Sequence, residues 1–167
     1  MKLGWQELTQ IQIRPVDATD VEWVRQLLAQ HWGSAKIISR GEVHLADRLP
    51  GFLPLMSDRR VGLVTYRIDD DGCEIVTLNS LVEGSGVGTA LLSAVRTVAV
   101  SSKCRRVWLI TTNDNLEALR FYQRKGFSLV ALHRNAVDVS RKLKPEIPST
   151  GQDGIPLRDE LELEMLL

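Results

Sequence analysis

The chain has 167 residues, 44% of them apolar and 25% charged, with a formal net charge of zero. That length carries a single domain, 1–167, with a proper hydrophobic core, and the composition is ordinary for a globular protein. Neutrality argues against a general nucleic-acid or membrane-surface binder, no apolar run reaches the roughly 18–20 residues of a membrane span, and Met1–Glu7 lacks the apolar core of a secretion signal.

Ile11-Gln12-Ile13-Arg14 alternates and predicts a first strand, stopped by Pro15. Thr19 and Glu22 fit a capping box, and Val21, Val24, Leu27 and Leu28 supply the apolar stripe of the helix behind it. A short helix is expected around Glu42–Arg48, then a turn-rich link over Pro50–Pro54. Arg60–Arg67 and Cys73–Leu78 read as the arms of an antiparallel hairpin joined by Asp69-Asp70-Asp71-Gly72. That acidic turn lacks the ligand spacing and distal Glu of a calcium loop, so a solvated turn is expected. Asn79 and Ser80 mark either a bulge that splays the sheet or the end of the strand.

Next comes Leu81-Val82-Glu83-Gly84-Ser85-Gly86-Val87-Gly88-Thr89, with three glycines at alternate positions opening a helix that runs to about Ser102. Glycine permits a sharp turn and close approach to a ligand. The first helical turn then offers unpaired N–H groups and a dipole that favours anions, by about 0.3–1 kcal/mol in exposed settings. The usual anion in such a cradle is a phosphate or pyrophosphate. Arg106–Thr111 is a near-continuous apolar strand, as for a central strand covered on both faces. Asp114, with Glu117 as capping-box partner, opens a helix ending near Gly126, and Phe127–Leu132 is the following strand. Asn135–Pro156 holds three prolines and two glycines and is expected to be a long loop insertion with a helical turn at most. Glu160-Leu161-Glu162-Leu163-Glu164-Met165 alternates strictly, predicting a last strand with one buried face. The fold class is α/β of the α+β type, a mixed sheet with helices on both faces, parallel where a helical crossover follows the glycine loop.

Two blocks in register, about 30 residues apart, resemble the GNAT superfamily of acetyl-CoA-dependent N-acetyltransferases. One is Gly84–Leu92, similar to that superfamily's pyrophosphate loop. The other is Asn115-Leu116-Glu117-Ala118-Leu119-Arg120-Phe121-Tyr122-Gln123-Arg124-Lys125-Gly126-Phe127, with the Asn, the small residue three on, the Tyr seven on and the Gly-Phe of the superfamily pattern. The resemblance implies a single GNAT-like mixed sheet and acetyl-CoA as cosubstrate, with no metal. It implies pyrophosphate binding by the backbone of Gly84, Gly86, Val87, Gly88 and Thr89, and pantetheine contacts from the Leu81 backbone and Asn115. Tyr122 would protonate the leaving thiolate, and Glu74, on the strand before the loop, is either a base for the amine or a hairpin charge facing water. Glu83 departs from the pattern, which has Arg or Gln there. The acceptor would be a small-molecule or peptide amine, with no nucleic acid or membrane partner, in the cytoplasm.

Each residue has a plainer reading. The glycine run could be a tight turn without a ligand, Tyr122 and the pair Trp32 and Phe52 could be core, and Asn115 a first-turn residue. His31, His44 and His133 show no metal spacing, and Cys73 and Cys104 read as reduced structural thiols. Segment 135–156 either borders the acceptor site or makes a homodimer contact. The rivals to an enzyme are a non-catalytic acyl-CoA-binding module on the same fold and a nucleotide-binding domain. The latter is disfavoured because Arg105, Arg106 and Trp108 stand where a ribose-binding acid is needed.

Overall fold

A computed structural model describes residues 10–167, so the N-terminal stretch read for a secretion signal lies outside the described residues. In chain order the elements are β1 (Gln12–Pro15), α1 (Val21–Trp32), β2 (Lys36–Ser39), β3 (Glu42–Leu45), β4 (Gly51–Met56), β5 (Arg59–Arg60), β6 (Gly62–Asp69), β7 (Gly72–Ser80), α2 (Val87–Ser101), β8 (Arg106–Thr112), α3 (Leu116–Arg124), β9 (Ser128–His133), α4 (Ala136–Leu143) and β10 (Glu160–Leu166). Among the described residues, eight strands form one sheet in the order β1-β4-β6-β7-β8-β10-β9, with β5 on β4. Every ladder is antiparallel except β7–β8, where the α2 crossover makes the pair parallel.

Two apolar clusters flank the sheet. On one face Val24, Leu27 and Leu28 of α1 pack on Leu53, Leu63 and Val76. On the other, Val87, Leu91, Val95 and Ala99 of α2 and Tyr122 of α3 pack on Val64, Ile75, Leu109 and Leu163. Strand periodicity explains the division, since successive side chains leave opposite faces.

Four local expectations are corrected. The cap before α1 is Asp17, whose carboxylate accepts from Thr19 N while Asp20 accepts from Asp17 N; Asp20 is fully buried between Arg14 and Arg60. The expected helix at 42–48 is strand β3 followed by one 3-10 turn, Ala46–Arg48, because β3 pairs with β2 in a separate hairpin. The expected link at 50–54 is strand β4: Pro54 faces Ile13 across the ladder, and Gly51 is needed because a Cβ there would lie 2.3 Å from Val64 O. Segment 135–156 is not only loop, since α4 gives it two turns of helix and Gln152–Gly154 a 3-10 turn. The α4 helix lies on the α1 face, where buried Lys144 just beyond it donates to Trp32 O at 2.7 Å and Lys36 O at 2.8 Å.

Candidate active site

β7 and β8 are paired only at Cys73–Val107, Glu74–Trp108 and Ile75–Leu109. Immediately beyond, β7 bulges: Tyr66 of β6 faces Ile75 while Thr65 faces Thr77, leaving Val76 extra. A bulge bends its strand and sharpens the twist, so the two central strands part there. The bulge is thus at Val76, and Asn79–Ser80 are the end of β7, the second of the two readings the sequence allowed. Leu81 N donates to Val61 O at 2.9 Å, so Leu81 spends its N–H on the β6 side. Backbone groups alternate sides along a strand, which leaves those of Leu78 and Ser80 facing the gap.

The gap leads to the glycine loop. Gly84 (φ 64°) and Gly86 (φ 83°) take left-handed backbone, which explains glycine at both. A Cβ on Gly84 would meet nothing within 4 Å and one on Gly86 only Ile11, so neither is packed shut. Gly86 is the N-cap of α2 and no side chain caps the helix, which leaves the first-turn N–H groups of Val87, Gly88 and Thr89 open. Gly88 has its own packing reason, since its Cβ would lie 3.0 Å from Phe121 of α3. Val87 is core, while Thr89 and Glu83 are exposed, so the Glu83 carboxylate is free to turn to solvent.

From the α2 face, α3 brings in Tyr122, 7% exposed and packed with Ile75 and Leu109, the last paired residues of the central strands. Its ring stands edge-on to Phe121 (5.1 Å) and Phe127 (5.3 Å). Trp108 Nε1 is the one fully buried side-chain polar atom without a partner among the described residues. Burial raises the Tyr122 pKa above the usual tyrosine value, which keeps the phenol protonated. Asn115, not Asp114, is the N-cap of α3, its Oδ1 accepting from Ala118 N at 3.1 Å. Asp114 is buried instead, taking Thr112 Oγ1 and Gln152 N.

Glu74 lies on the opposite face from Tyr122 and is buried, at 2% exposure. Its Oε2 accepts from Arg67 Nε at 2.5 Å and its Oε1 from Ser39 Oγ at 3.4 Å; Ser39 also meets His44 Nε2 at 3.2 Å. The reading of Glu74 as a charge facing water is therefore overturned. Further along that face stand Trp108 and two glutamates the pattern did not single out. Glu160 takes Arg40 N and Ser140 Oγ, and Glu162 takes Arg106 and His133. Burial works against the Glu162 charge, but those donors and nearby Arg40 outweigh it and leave the pKa lowered. The β2–β3 hairpin and α4 cover this face, so β10 has two buried faces rather than one. Trp32 Nε1 donates to Asn79 Oδ1 at 2.9 Å, setting the end of α1 against the diverging part of β7. Phe52 stacks on Tyr66 at 5.8 Å and belongs to the core. Burial pushes the Cys73 thiol up to about 12, and both cysteines are free.

A parted central strand pair opening onto an uncapped, glycine-led helix defines a class of acyltransferase folds. The model of the acetyltransferase (GNAT) family matches residues 17–127. Two Bacillus subtilis (strain 168) proteins, the uncharacterized proteins YdhI and YxbD, are 43% and 41% identical to this chain, over 80% and 90% of it and 84% and 96% of their own lengths. The chain belongs to the GNAT acetyltransferase family. A Bacillus subtilis acetyltransferase solved in complex with CoA matches at a TM-score of 0.69, with 16% identity, over 95% of this chain and 99% of that one. A GNAT family acetyltransferase from Elizabethkingia anophelis with acetyl-CoA bound matches at 0.66, with 20% identity over 94% and 98%. The ribosomal-protein-S18-alanine N-acetyltransferase of Escherichia coli matches at 0.68, with 15% identity over 94% of each chain. At these identities the likeness is one of fold.

Proposed function

We propose that this protein transfers an acetyl group from acetyl-CoA to a primary amine by direct attack in a ternary complex. The observation that carries the reading is the parting of β7 and β8 at the Val76 bulge, which leads to an open helix N-terminus at Gly86.

In this reading the N–H groups of Gly86, Val87, Gly88 and Thr89 take the diphosphate, with Gly84 giving the turn its shape. The open backbone of Leu78 and Ser80, beside Leu81, pairs with the pantetheine arm, and the free amide nitrogen of Asn115 donates to it from across the gap. Acetyl-CoA, when bound, supplies a thioester carbonyl whose C–S bond breaks as the amine's N–C bond forms. A strand N–H such as that of Leu78 steadies the carbonyl oxygen as it gains charge. Tyr122 gives its proton to the departing sulfur, a role that suits a phenol kept neutral by burial. The ammonium must lose a proton before it attacks, and Glu74, directly or through water, is the candidate base, with Ser39 and His44 behind it.

The test is calorimetric titration of CoA into the wild type and Gly86→Asp, followed by thiol release from acetyl-CoA over a panel of amines. Wild type should bind CoA and acetylate at least one amine. Gly86→Asp should lose CoA through repulsion and the cost of a side chain at positive φ. CoA binding retained in Gly86→Asp would discredit the loop assignment. CoA binding with no turnover on any amine would favour the non-catalytic acyl-CoA-binding alternative, which the hold of Arg67 on Glu74 makes a specific competitor.

A further inference from the structure

The groove between α2 and α3 carries charge that the site described so far does not use. The two helices and the cap residue of α3 hold Arg96, Arg120, Arg124 and Lys125 against a single acid, Glu117. Among the described residues none of these four cations makes an ion pair, in a chain that is neutral as a whole. The glycine loop, 81–89, is the reverse: it has no cation and one acid, Glu83.

Two of the four cations share a cavity of about 170 Å³. Thr89, Ser93 and Arg96 line it from α2, spaced four and three residues apart and so on one helix face. Lys125 lines it from the end of α3, and Leu92, Phe127 and Met165 give it an apolar floor. No acid lines it, so the cavity carries two uncompensated positive charges. It begins at Thr89, in the same first turn of α2 that offers its open N–H groups to an anion.

Both cations reach toward that turn. The Lys125 Nζ stands 5.9 Å from the centroid of Phe121, the ring that a Cβ on Gly88 would meet at 3.0 Å. Arg96 follows Thr89 by seven residues, about 10 Å at helix rise. Long side chains on a helix lean back toward its N-terminus, so the guanidinium covers much of that distance.

The charge balance at the loop leaves these cations a task. A helix N-terminus offers about half a positive charge, less than the Glu83 carboxylate takes away. A diphosphate ionised at both phosphorus centres is therefore poorly neutralised by the loop alone. CoA carries one more phosphate, a monoester on the 3′ oxygen of its ribose, with a charge of about −1.5 to −2 at pH 7. The ribose links that group to the diphosphate through a few bonds. A cavity that starts at the diphosphate's turn, with two free cations over an apolar floor, suits a phosphate carried on a nucleoside.

We infer that Arg96 and Lys125 hold the 3′-phosphate of CoA in the α2–α3 groove and supply the positive charge that the glycine loop lacks. The inference rests on the acetyl-CoA reading and goes beyond its contacts at the loop and the strands. Arg120 and Arg124 lie on α3 outside the cavity and do not take part.

The test is calorimetric titration of CoA and of 3′-dephospho-CoA into the full chain, wild type and Arg96→Gln/Lys125→Gln. Both side chains are exposed, so this double variant should keep the wild-type melting temperature. Arg120→Gln/Arg124→Gln removes the same charge outside the cavity and is the control. Wild type should bind CoA at least tenfold more tightly than dephospho-CoA. Arg96→Gln/Lys125→Gln should bring that ratio within threefold, and the control should keep it at tenfold or more. Equal affinities in wild type, or a preference that survives in Arg96→Gln/Lys125→Gln, overturns the inference and leaves the acetyl-CoA reading standing. A preference erased equally by the control shows a diffuse field in place of a site and also overturns it. A chain that binds neither ligand overturns the acetyl-CoA reading and the inference with it.

Discussion

Replacing Tyr122 by Phe isolates one oxygen atom, and the structure says what its removal costs. The hydroxyl makes no hydrogen bond among the described residues, so no partner is orphaned. The ring keeps its edge contacts at 5.1 and 5.3 Å to Phe121 and Phe127. Folding stability should therefore change by less than about 0.5 kcal/mol, below the ~1 kcal/mol of a typical lost hydrogen bond. The chemical step should suffer far more. General acid catalysis is worth about 10²–10⁴-fold, but a thiol, with a pKa near about 8.5, leaves more readily than an alkoxide. The lower limit of that range is therefore the ceiling here, a fall in kcat of about 10–100-fold, or roughly 1.4–2.7 kcal/mol of barrier. The assay is thiol release from acetyl-CoA at saturating amine, read by a thiol-trapping dye, beside a melting curve and a CoA titration. CoA affinity should stay within about twofold, since the phenol binds no part of the diphosphate. Burial raises the Tyr122 pKa, so the wild-type rate should hold on the alkaline side until above the ordinary tyrosine range, then fall as the acid ionises. That limb should be absent in the variant. An unchanged kcat would refute the assignment, and a fall in kcat matched by a large fall in melting temperature would assign the residue to packing.

Two further outcomes concern the frame around the site. Asp20 is fully buried and held by Arg14, whose hydrogen bonds hold its carboxyl well below the usual carboxylate range, and by Arg60. Asp20→Asn should cost about 2–3 kcal/mol at pH 7, short of the ~3–5 of a fully buried pair because both arginines can turn to water. A depressed pKa contributes stability above the unfolded value near about 3.9 and loses it as pH falls from there. The gap between wild type and Asp20→Asn in urea midpoints should thus shrink from pH 7 to pH 3, and a constant gap would refute the pairing. Lys144→Met removes the two bonds to Trp32 O and Lys36 O that fasten α4 to the end of α1 and to β2. Its expected signature is faster amide exchange in β2, the α1 C-terminus and α4, with β6–β8 unchanged; a uniform change would show that the lysine is not a local fastener.

The parts of this molecule that could be read from its residues are those whose physics is local. The α2 and α3 helices, the β6–β7 hairpin and the parallel step to β8 follow from periodicity, caps and glycines. What failed was non-local. Gly51 and Pro54 carry turn chemistry, yet β4 forms because its neighbours β1 and β6 supply partners on both sides. Residues 42–45 took a strand because β2 was beside them, and no window of sequence announces that partner. At Asn115 the error was one residue, between two adjacent side chains both able to cap, and the choice went to the one not drawn into Thr112 and Gln152.

The acidic row is the instructive miss. Strict alternation of Glu with Leu in 160–165 is the pattern of a strand with one wet face, and that inference is sound for an isolated sheet. Here α4 and the β2–β3 hairpin roof the polar face, so Glu160 and Glu162 end at 2% and 6% exposure. Carboxylates cannot be buried at that depth without donors, and the chain provides them from distant places: Arg40 N, Ser140, His133 and Arg106. Those donors lie outside the two family blocks at 84–92 and 115–127. The blocks carry the acetyl-CoA side of the proposed reaction, whereas the buried polar row of the opposite face is made of residues that look unremarkable one at a time. Glu74, Trp108, Glu160 and Glu162 come together as one buried polar row only when β7, β8 and β10 lie on one sheet under that roof. A resemblance carried by the cofactor side can therefore name a family and leave the acceptor unread, because the polar side chains buried on the opposite face are assembled by contacts that neither block contains.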